Sequence, residues 1–274
     1  MLMCGPPGVG KTEMAKTIAS EMGTESKEAI GQNLRTGAQM AGFLLSARER
    51  DVFFIDEMHE LRTEAQTQLY RAMLDWKVFV RGGPFGGAAQ SISVPQFTLL
   101  AATTDEFSLL KPLRDRFDMT LHFSFYTVPD LIEILARRIR CSSWSIEPVV
   151  PELIAARSKG VPRVALRLLA SCCRVARSRD ERTISVHTLH ETCRIERIDA
   201  LGLNAAEQSY LAILASSSAP VRPTTLGARL GLPLTTIQTV TEEFMIRAGL
   251  IERTPKGRVL TLKGLQHLRS GADA

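Results

Sequence analysis

Eight residues near the start of the chain, Gly5-Pro6-Pro7-Gly8-Val9-Gly10-Lys11-Thr12, constrain the fold more than any other segment. Glycines in a G-x-x-x-x-G-K-T spacing let backbone N–H groups close around an anion where side chains would block them. A helix predicted to begin at Lys11 turns its positive end to the same anion. A loop of this kind needs a buried strand in front of it, for which Met1 to Cys4 are available. The ligand it suits is a nucleoside triphosphate: Lys11 contacts the β- and γ-phosphates, and Thr12 ligates Mg²⁺.

A second motif supplies the rest of a hydrolytic site. Phe53-Phe54-Ile55 reads as a strand buried on both faces, and Asp56-Glu57 follow it directly. A carboxylate at that strand end orients a metal-bound water shell, which suits Asp56; Glu57 can polarise an attacking water as general base. A metal site built on His59 is the rival reading of the same segment. Downstream, Phe97 to Ala102 forms another strand-length apolar run that ends on Thr103-Thr104, whose hydroxyls could bond the water or the γ-phosphate. Pro112-Leu113-Arg114-Asp115-Arg116-Phe117 then offers two arginines. An arginine reaching a neighbouring subunit's γ-phosphate stabilises transition-state charge by roughly 10³-fold or more in rate. The simpler use of either is an ion pair with Asp115 or Asp118.

Strands alternating with helical stretches, such as Glu64 to Leu74, argue for a parallel α/β sheet over residues 1–125. Within it, Val78-Phe79-Val80 and Ser91-Ile92-Ser93-Val94 read as an inserted hairpin tipped by Gly82 to Gly87. Residues 126–198 read as helical, with Gly160-Val161-Pro162-Arg163 punctuating two helices. From Leu203, a helix over Ala205 to Ser216 precedes Thr224 to Leu230, a Gly231 turn and a helix from about Leu234 to Ala248. Two short strands around Leu250 to Arg253 and Val259 to Leu262, tipped by Pro255-Lys256-Gly257, complete a winged-helix pattern.

Charge sharpens the division. The net charge is +5, but residues 1–125 carry 13 basic against 15 acidic residues and residues 126–198 carry 13 against 8. Between Arg253 and Arg269 five basic residues occur with no acid, a bias that suits a phosphate backbone. No apolar run reaches the roughly 18 residues that span a bilayer, and no signal peptide precedes the loop. The five cysteines are odd in number and show no CxxC pair, so a reduced, cytoplasmic setting with cysteines as small core residues is expected.

The ordered series GPPGVGKT, FFIDEMHEL, FTLLAATT, PLRDRF, FYTVPDL, GVPR and ERTPKGR resembles the AAA+ ATPases, and within them the RuvB family of Holliday junction branch-migration motors. The resemblance implies an α/β fold: an AAA+ P-loop ATPase core with a parallel sheet (1–125), an all-α lid (126–198) and a C-terminal winged-helix DNA-binding domain (199–274). It implies ATP and Mg²⁺ as cofactors, with Gly5, Gly8, Gly10, Lys11, Thr12 and Glu13 around the phosphates and Thr12 and Asp56 at the metal. Glu57, Thr104 (or Thr103) as the γ-phosphate sensor and Arg116 as a trans-acting finger would be catalytic. Asp75-Trp76 stands where the family has an acidic-aromatic pair facing the nucleotide. Tyr126 matches a residue near the base, and Arg163 matches the arginine that reads the γ-phosphate from the lid. Arg253, Lys256 and Arg258 of the wing would contact DNA.

The implied activity is an ATP-driven ring, a homo-hexamer on double-stranded and branched DNA, joined by a RuvA-type partner at the hairpin over 78–94. The alternative is an AAA+ DNA-binding protein of initiator or clamp-loader type that uses nucleotide as a switch. Met58, Glu60, Leu74, Asp105-Glu106 and Leu166 depart from the family pattern, and the hairpin is one residue shorter. By the resemblance, roughly 50 or more residues would be expected before the loop, including a segment that helps hold adenine. A truncated, somewhat divergent copy with impaired motor activity is the other alternative.

Overall fold

Apolar runs with no polar alternation can only be strands covered on both faces, and the sheet of the N-terminal region shows this directly. The computed structural model describes residues 1–24, 26–80 and 90–272. They divide into two compact units, 1–125 and 126–274.

In the first unit, β1 (Leu2–Cys4), β2 (Ser26–Ile30), β3 (Val52–Asp56), β4 (Lys77–Val80), β5 (Gln90–Ser93), β6 (Thr98–Thr103) and β7 (Thr120–His122) alternate with α1 (Lys11–Glu21), α2 (Gly37–Leu45), α3 (Thr63–Asp75) and the short α4 (Lys111–Arg114). Five strands form one sheet in the order β2-β3-β6-β1-β7. Every pairing in it is parallel. Successive side chains of β3 enter different cores. Phe53 and Ile55 join Leu2, Ala101 and the buried residues of α2 and α3, while Val52 and Phe54 join Met3, Leu100 and Ala15 and Ala19 of α1. Only three residues long, β1 is fully buried between β6 and β7. Its register with both neighbours fixes where the following loop emerges. The hairpin forms separately, with Val78 opposite Ile92, and its glycine-rich tip lies outside the described residues.

The second unit carries α5 (Val128–Arg140), α6 (Val150–Ala156), α7 (Pro162–Ser178) and α8 (Val186–Glu196), packed on Leu131, Leu135, Ile154, Leu168 and Leu189. A two-residue parallel pair, β8 (Ser145–Ile146) with β9 (Thr183–Ile184), adds a small strand element to a region that reads as helical throughout. A second cluster built on Leu203, Tyr210, Leu211, Leu226, Ile237 and Met245 holds α9 (Ala205–Ala215), α10 (Pro223–Leu230) and α11, which runs through residues 234–247. Strands β10 (Ile251–Thr254) and β11 (Gly257–Leu260) pair antiparallel as the wing. The chain then forms α12 (Leu262–Ala272), a helix that the strand and charge patterns conceal. Lys159 joins the two clusters: its Nζ donates to both carboxylate oxygens of Glu207 at 2.6 and 2.7 Å. Among the described residues no helix is long and apolar enough to cross a membrane.

Candidate functional site

The loop between β1 and α1 is shaped by its glycines. Gly5 has φ +148°, and a Cβ there would meet the Phe123 carbonyl oxygen at 2.4 Å. Gly10 caps α1 in the left-handed region at φ +104°. Lys11, only 8% exposed, lies back across the loop, its Nζ donating to the carbonyls of Gly5 at 2.7 Å and Pro6 at 2.8 Å. Glu13 is exposed in the first turn of α1.

Two motifs 44 residues apart in sequence meet here. Thr12 Oγ1 donates to Asp56 Oδ2 at 2.9 Å, and Asp56 Oδ1 accepts from the Glu57 backbone N–H at 2.9 Å. Asp56 ends β3, whereas Glu57 takes the left-handed conformation at φ +50° and is exposed. That backbone costs a non-glycine residue about 1–2 kcal/mol. Gly31 makes room for it, since a Cβ at 31 would lie 2.3 Å from the Glu57 carbonyl oxygen. A hydroxyl beside a carboxylate is a hard-oxygen pair of the kind Mg²⁺ takes.

The end of β6 divides the two threonines: Thr103 is its last residue and Thr104 lies just beyond it. Thr103 is 1% exposed, and its hydroxyl bonds the backbone of Asp105 and lies 3.3 Å from His59 Nδ1. Thr104 is exposed. The metal reading of His59 finds no support, because its nearest partners are Thr103 and Glu60, the latter at 3.9 Å.

Arg116 stands elsewhere. Its guanidinium donates to the Met73 carbonyl at 3.3 Å, and it lines a cleft with Met1, Trp76, Phe97, Thr98 and Leu99. Met1 and Thr98 mark the N-terminal ends of β1 and β6, while the phosphate loop leaves the C-terminal end. The length of β6 alone puts about 16 Å between the two ends. Asp75 and Trp76 follow each other at the end of α3, and Trp76 lines the same cleft. Trp76 caps α3 at φ +52° and packs its ring against Phe97 at 5.4 Å, so Trp76 sits beside Arg116 and away from this chain's own phosphate loop.

Tyr126 and Arg163 belong to the second unit and lie near each other there. The Tyr126 backbone N–H donates to the Gly160 carbonyl, and Arg163 is exposed in the first turn of α7.

The wing is organised by a residue that motif reading passes over. Glu242, fully buried, accepts from Tyr210 Oη at 2.9 Å, Arg253 Nε at 2.9 Å and Arg258 Nε at 3.0 Å. A π turn over Ile237–Thr241 brings Glu242 round to the side of the buried Ile237. Burial, then the bond to Glu242, push the Tyr210 phenol up. Arg258 is thus turned inward, its side chain 11% exposed; Arg253 remains 48% exposed and Lys256 is exposed at the tip. Gly257 permits the fold of the wing, for a Cβ would lie 2.6 Å from the Val221 carbonyl oxygen.

A family profile described as the Holliday junction DNA helicase RuvB P-loop domain matches residues 1–123, and one described as the RuvB C-terminal winged helix domain matches 200–269. The chain is 39% identical over 272 residues to the Holliday junction branch migration complex subunit RuvB of Pseudothermotoga lettingae, covering 98% of this chain and 79% of that protein. The same subunit of Nocardia farcinica is 38% identical over 98% of this chain and 76% of its own length. The structure of the Thermotoga maritima RuvB Holliday junction branch migration motor superposes with a TM-score of 0.83 at 35% identity, covering 98% of this chain and 86% of that one. A point mutant of that protein gives 0.85 at 34% identity, covering 98% and 87%.

Proposed function

The chain belongs to the RuvB family, and from that premise we propose that it is an ATP-hydrolysing motor that drives branch migration of Holliday junctions. The observation that carries this reading is the meeting of Thr12 and Asp56 at 2.9 Å, with Glu57 next in the chain. In the proposed mechanism the triphosphate draws Lys11 Nζ from the Gly5 and Pro6 carbonyls onto its β- and γ-oxygens, while the loop amides enclose the phosphates. Thr12 and Asp56 would hold Mg²⁺, which when bound neutralises charge on the same oxygens. Glu57, exposed beside Asp56, would take the proton of the attacking water. Thr104 is proposed as the γ-phosphate sensor, with Thr103 holding the turn that presents it, and Glu13 as a further residue near the phosphates.

Arg116 supports an oligomer. At the opposite end of the sheet from its own phosphate loop, it has no route to its own γ-phosphate, so its catalytic use requires a neighbouring copy. Asp75 and Trp76 would then face that same neighbour. A closed ring, six copies by family analogy, places every Arg116 at the next loop. Tyr126 and Arg163 are proposed as the nucleotide-reading residues of the second unit, which we divide into a lid (126–198) and a winged helix (199–274). Double-stranded and branched DNA would meet Lys256 and Arg253, and a RuvA-type partner would dock on the hairpin, whose strand β5 is exposed along its whole length.

The test is ATP turnover with and without a four-way junction. Wild type is expected to hydrolyse ATP faster with junction DNA, and Glu57→Gln to bind ATP without turning it over. Mixing Lys11→Ala with Arg116→Ala, each inactive alone, should restore part of the rate, because mixed rings contain some intact interfaces. No rescue on mixing would sink the trans-acting role. Nucleotide binding by the wild type without hydrolysis would replace the motor with a nucleotide-switched DNA-binding protein.

A further inference from the structure

Cys4 closes β1 directly before the phosphate loop and is 5% exposed. His122 closes β7 opposite it in register. Glu106 opens the short helical turn that follows β6. One ligand atom from each, a thiol sulfur, an imidazole nitrogen and a carboxylate oxygen, all lie within 4.8 Å of one another. Residues spread over more than a hundred positions of sequence are thus brought to one point by three neighbouring strands. Among the described residues no other group of His, Cys, Asp and Glu converges in this way.

We propose that Cys4, Glu106 and His122 form a binding site for a borderline-soft divalent cation of the Zn²⁺ class, with water as the fourth ligand. The donor set selects the class: Mg²⁺ and Ca²⁺ take oxygen, whereas one sulfur, one imidazole and one carboxylate suit Zn²⁺ or Co²⁺. Bond lengths of about 2.3 Å to sulfur and 2.0–2.1 Å to nitrogen and oxygen place tetrahedral ligands roughly 3.3–3.6 Å apart. The side chains therefore close by about 1 Å, which rotamer adjustment of Glu106 and the exposed His122 can supply. His122 also leaves the site open to solvent, where the water ligand belongs.

Charge is balanced as well. A thiolate and a carboxylate together offset a divalent cation, and Lys11 and Arg114 lie close enough to Cys4 to favour its thiolate form. Without an ion the thiol keeps its proton: burial first, then the hydrogen bond and charge of Glu106, push Cys4 up to about 12. Metal binding replaces that proton on sulfur and releases it to solvent. The site is separate from Thr12 and Asp56. It would fasten the strand entering the phosphate loop to the turn after Thr103-Thr104 and to the end of β7.

The test uses the full-length chain, stripped with a chelator, titrated with Co²⁺ in the absence of nucleotide and then challenged with Zn²⁺. The expected result is one equivalent of Co²⁺ with tetrahedral visible bands and a sulfur-to-cobalt charge-transfer band, both removed by Zn²⁺. Cys4→Ser should abolish the charge-transfer band. His122→Asn, an exposed change that leaves the core intact, should weaken Co²⁺ binding by at least 10–100-fold, the loss known for removal of even outer-shell partners. Cys141→Ser and Cys173→Ser should leave the spectrum unchanged. A charge-transfer band that survives Cys4→Ser, or none at one equivalent, overturns the proposal. So does unaltered Co²⁺ affinity in a His122→Asn chain that melts like wild type. Because no nucleotide is present, these outcomes are independent of whether the chain hydrolyses ATP.

Discussion

The phosphate loop and the wing are both proposed to meet polyanions, yet they hold their cations in opposite ways. Lys11 donates to neutral acceptors, the carbonyls of Gly5 and Pro6, at the mouth of the loop where a phosphate would compete for it. Arg253 and Arg258 are held by a buried carboxylate, Glu242, which cancels one of their two charges. The same residue type count in the sequence therefore overstates the wing and describes the loop faithfully. Neutral tethers preserve a cation for a ligand, and charged tethers turn it into part of the core.

This contrast is broken most directly by truncating the tethered groups. Lys11→Ala is expected to lower ATP turnover by roughly 10³-fold or more, with a smaller effect on melting temperature than loss of the buried Glu242 carboxylate. Steady-state turnover and a thermal melt on one preparation check both halves. Glu242→Ala should do the reverse: it leaves Arg258 uncompensated in a nearly dry setting, at a cost of about 3–5 kcal/mol. Urea unfolding of the full chain reads that loss at the transition of the second unit. If Glu242→Ala melts like wild type, the carboxylate is not what organises the wing. Tyr210→Phe removes one hydrogen bond to Glu242 and keeps both arginines, so a smaller loss of about 1–2 kcal/mol is expected by the same measurement.

The loop and the outline of the wing were legible, and the carboxylate inside the wing was not, for a physical reason. Gly5, Gly8, Gly10, Lys11 and Thr12 act through backbone geometry over eight residues, so their arrangement is written in consecutive letters. Asp56 is found by the buried strand it terminates, and the pairing with Thr12 follows from two local motifs. Nothing local announces Glu242. Its partners lie 11, 16 and 32 residues away, and a π turn alters the helical period that would have placed it. For Trp76 the order of motifs does not say at which end of a parallel strand a residue emerges, so its place beside Arg116 came only with the fold. For Thr103 and Thr104 the sequence left both open, and the point where β6 ends decides: Thr103 is buried as its last residue and Thr104 is exposed just beyond it. Leu262–Ala272 escaped because its basic residues read as a charged surface before they read as a helix.

The smallest expected effect is the sharpest test of the difference between a cation on the core and a cation in solvent. Each phosphate-neutralising cation contributes about 0.9 to the slope of log affinity against log salt for duplex DNA. Lys256 is exposed at the wing tip with no carboxylate among its described partners, so Lys256→Ala should reduce the slope by about one and leave folding unchanged. Arg258→Ala should leave the slope nearly as it was, because the guanidinium already faces Glu242 and only 11% of its side chain reaches solvent. Arg253 should fall between the two: it is half-exposed, but DNA must compete with Glu242 and the Gln238 carbonyl for its nitrogens. Fluorescence anisotropy with a labelled duplex from about 50 to 200 mM salt separates the three. An Arg258→Ala slope change equal to that of Lys256→Ala would mean that Arg258 leaves Glu242 when DNA arrives. The buried carboxylate would then be a store from which the wing draws a cation, rather than a fixed part of its core.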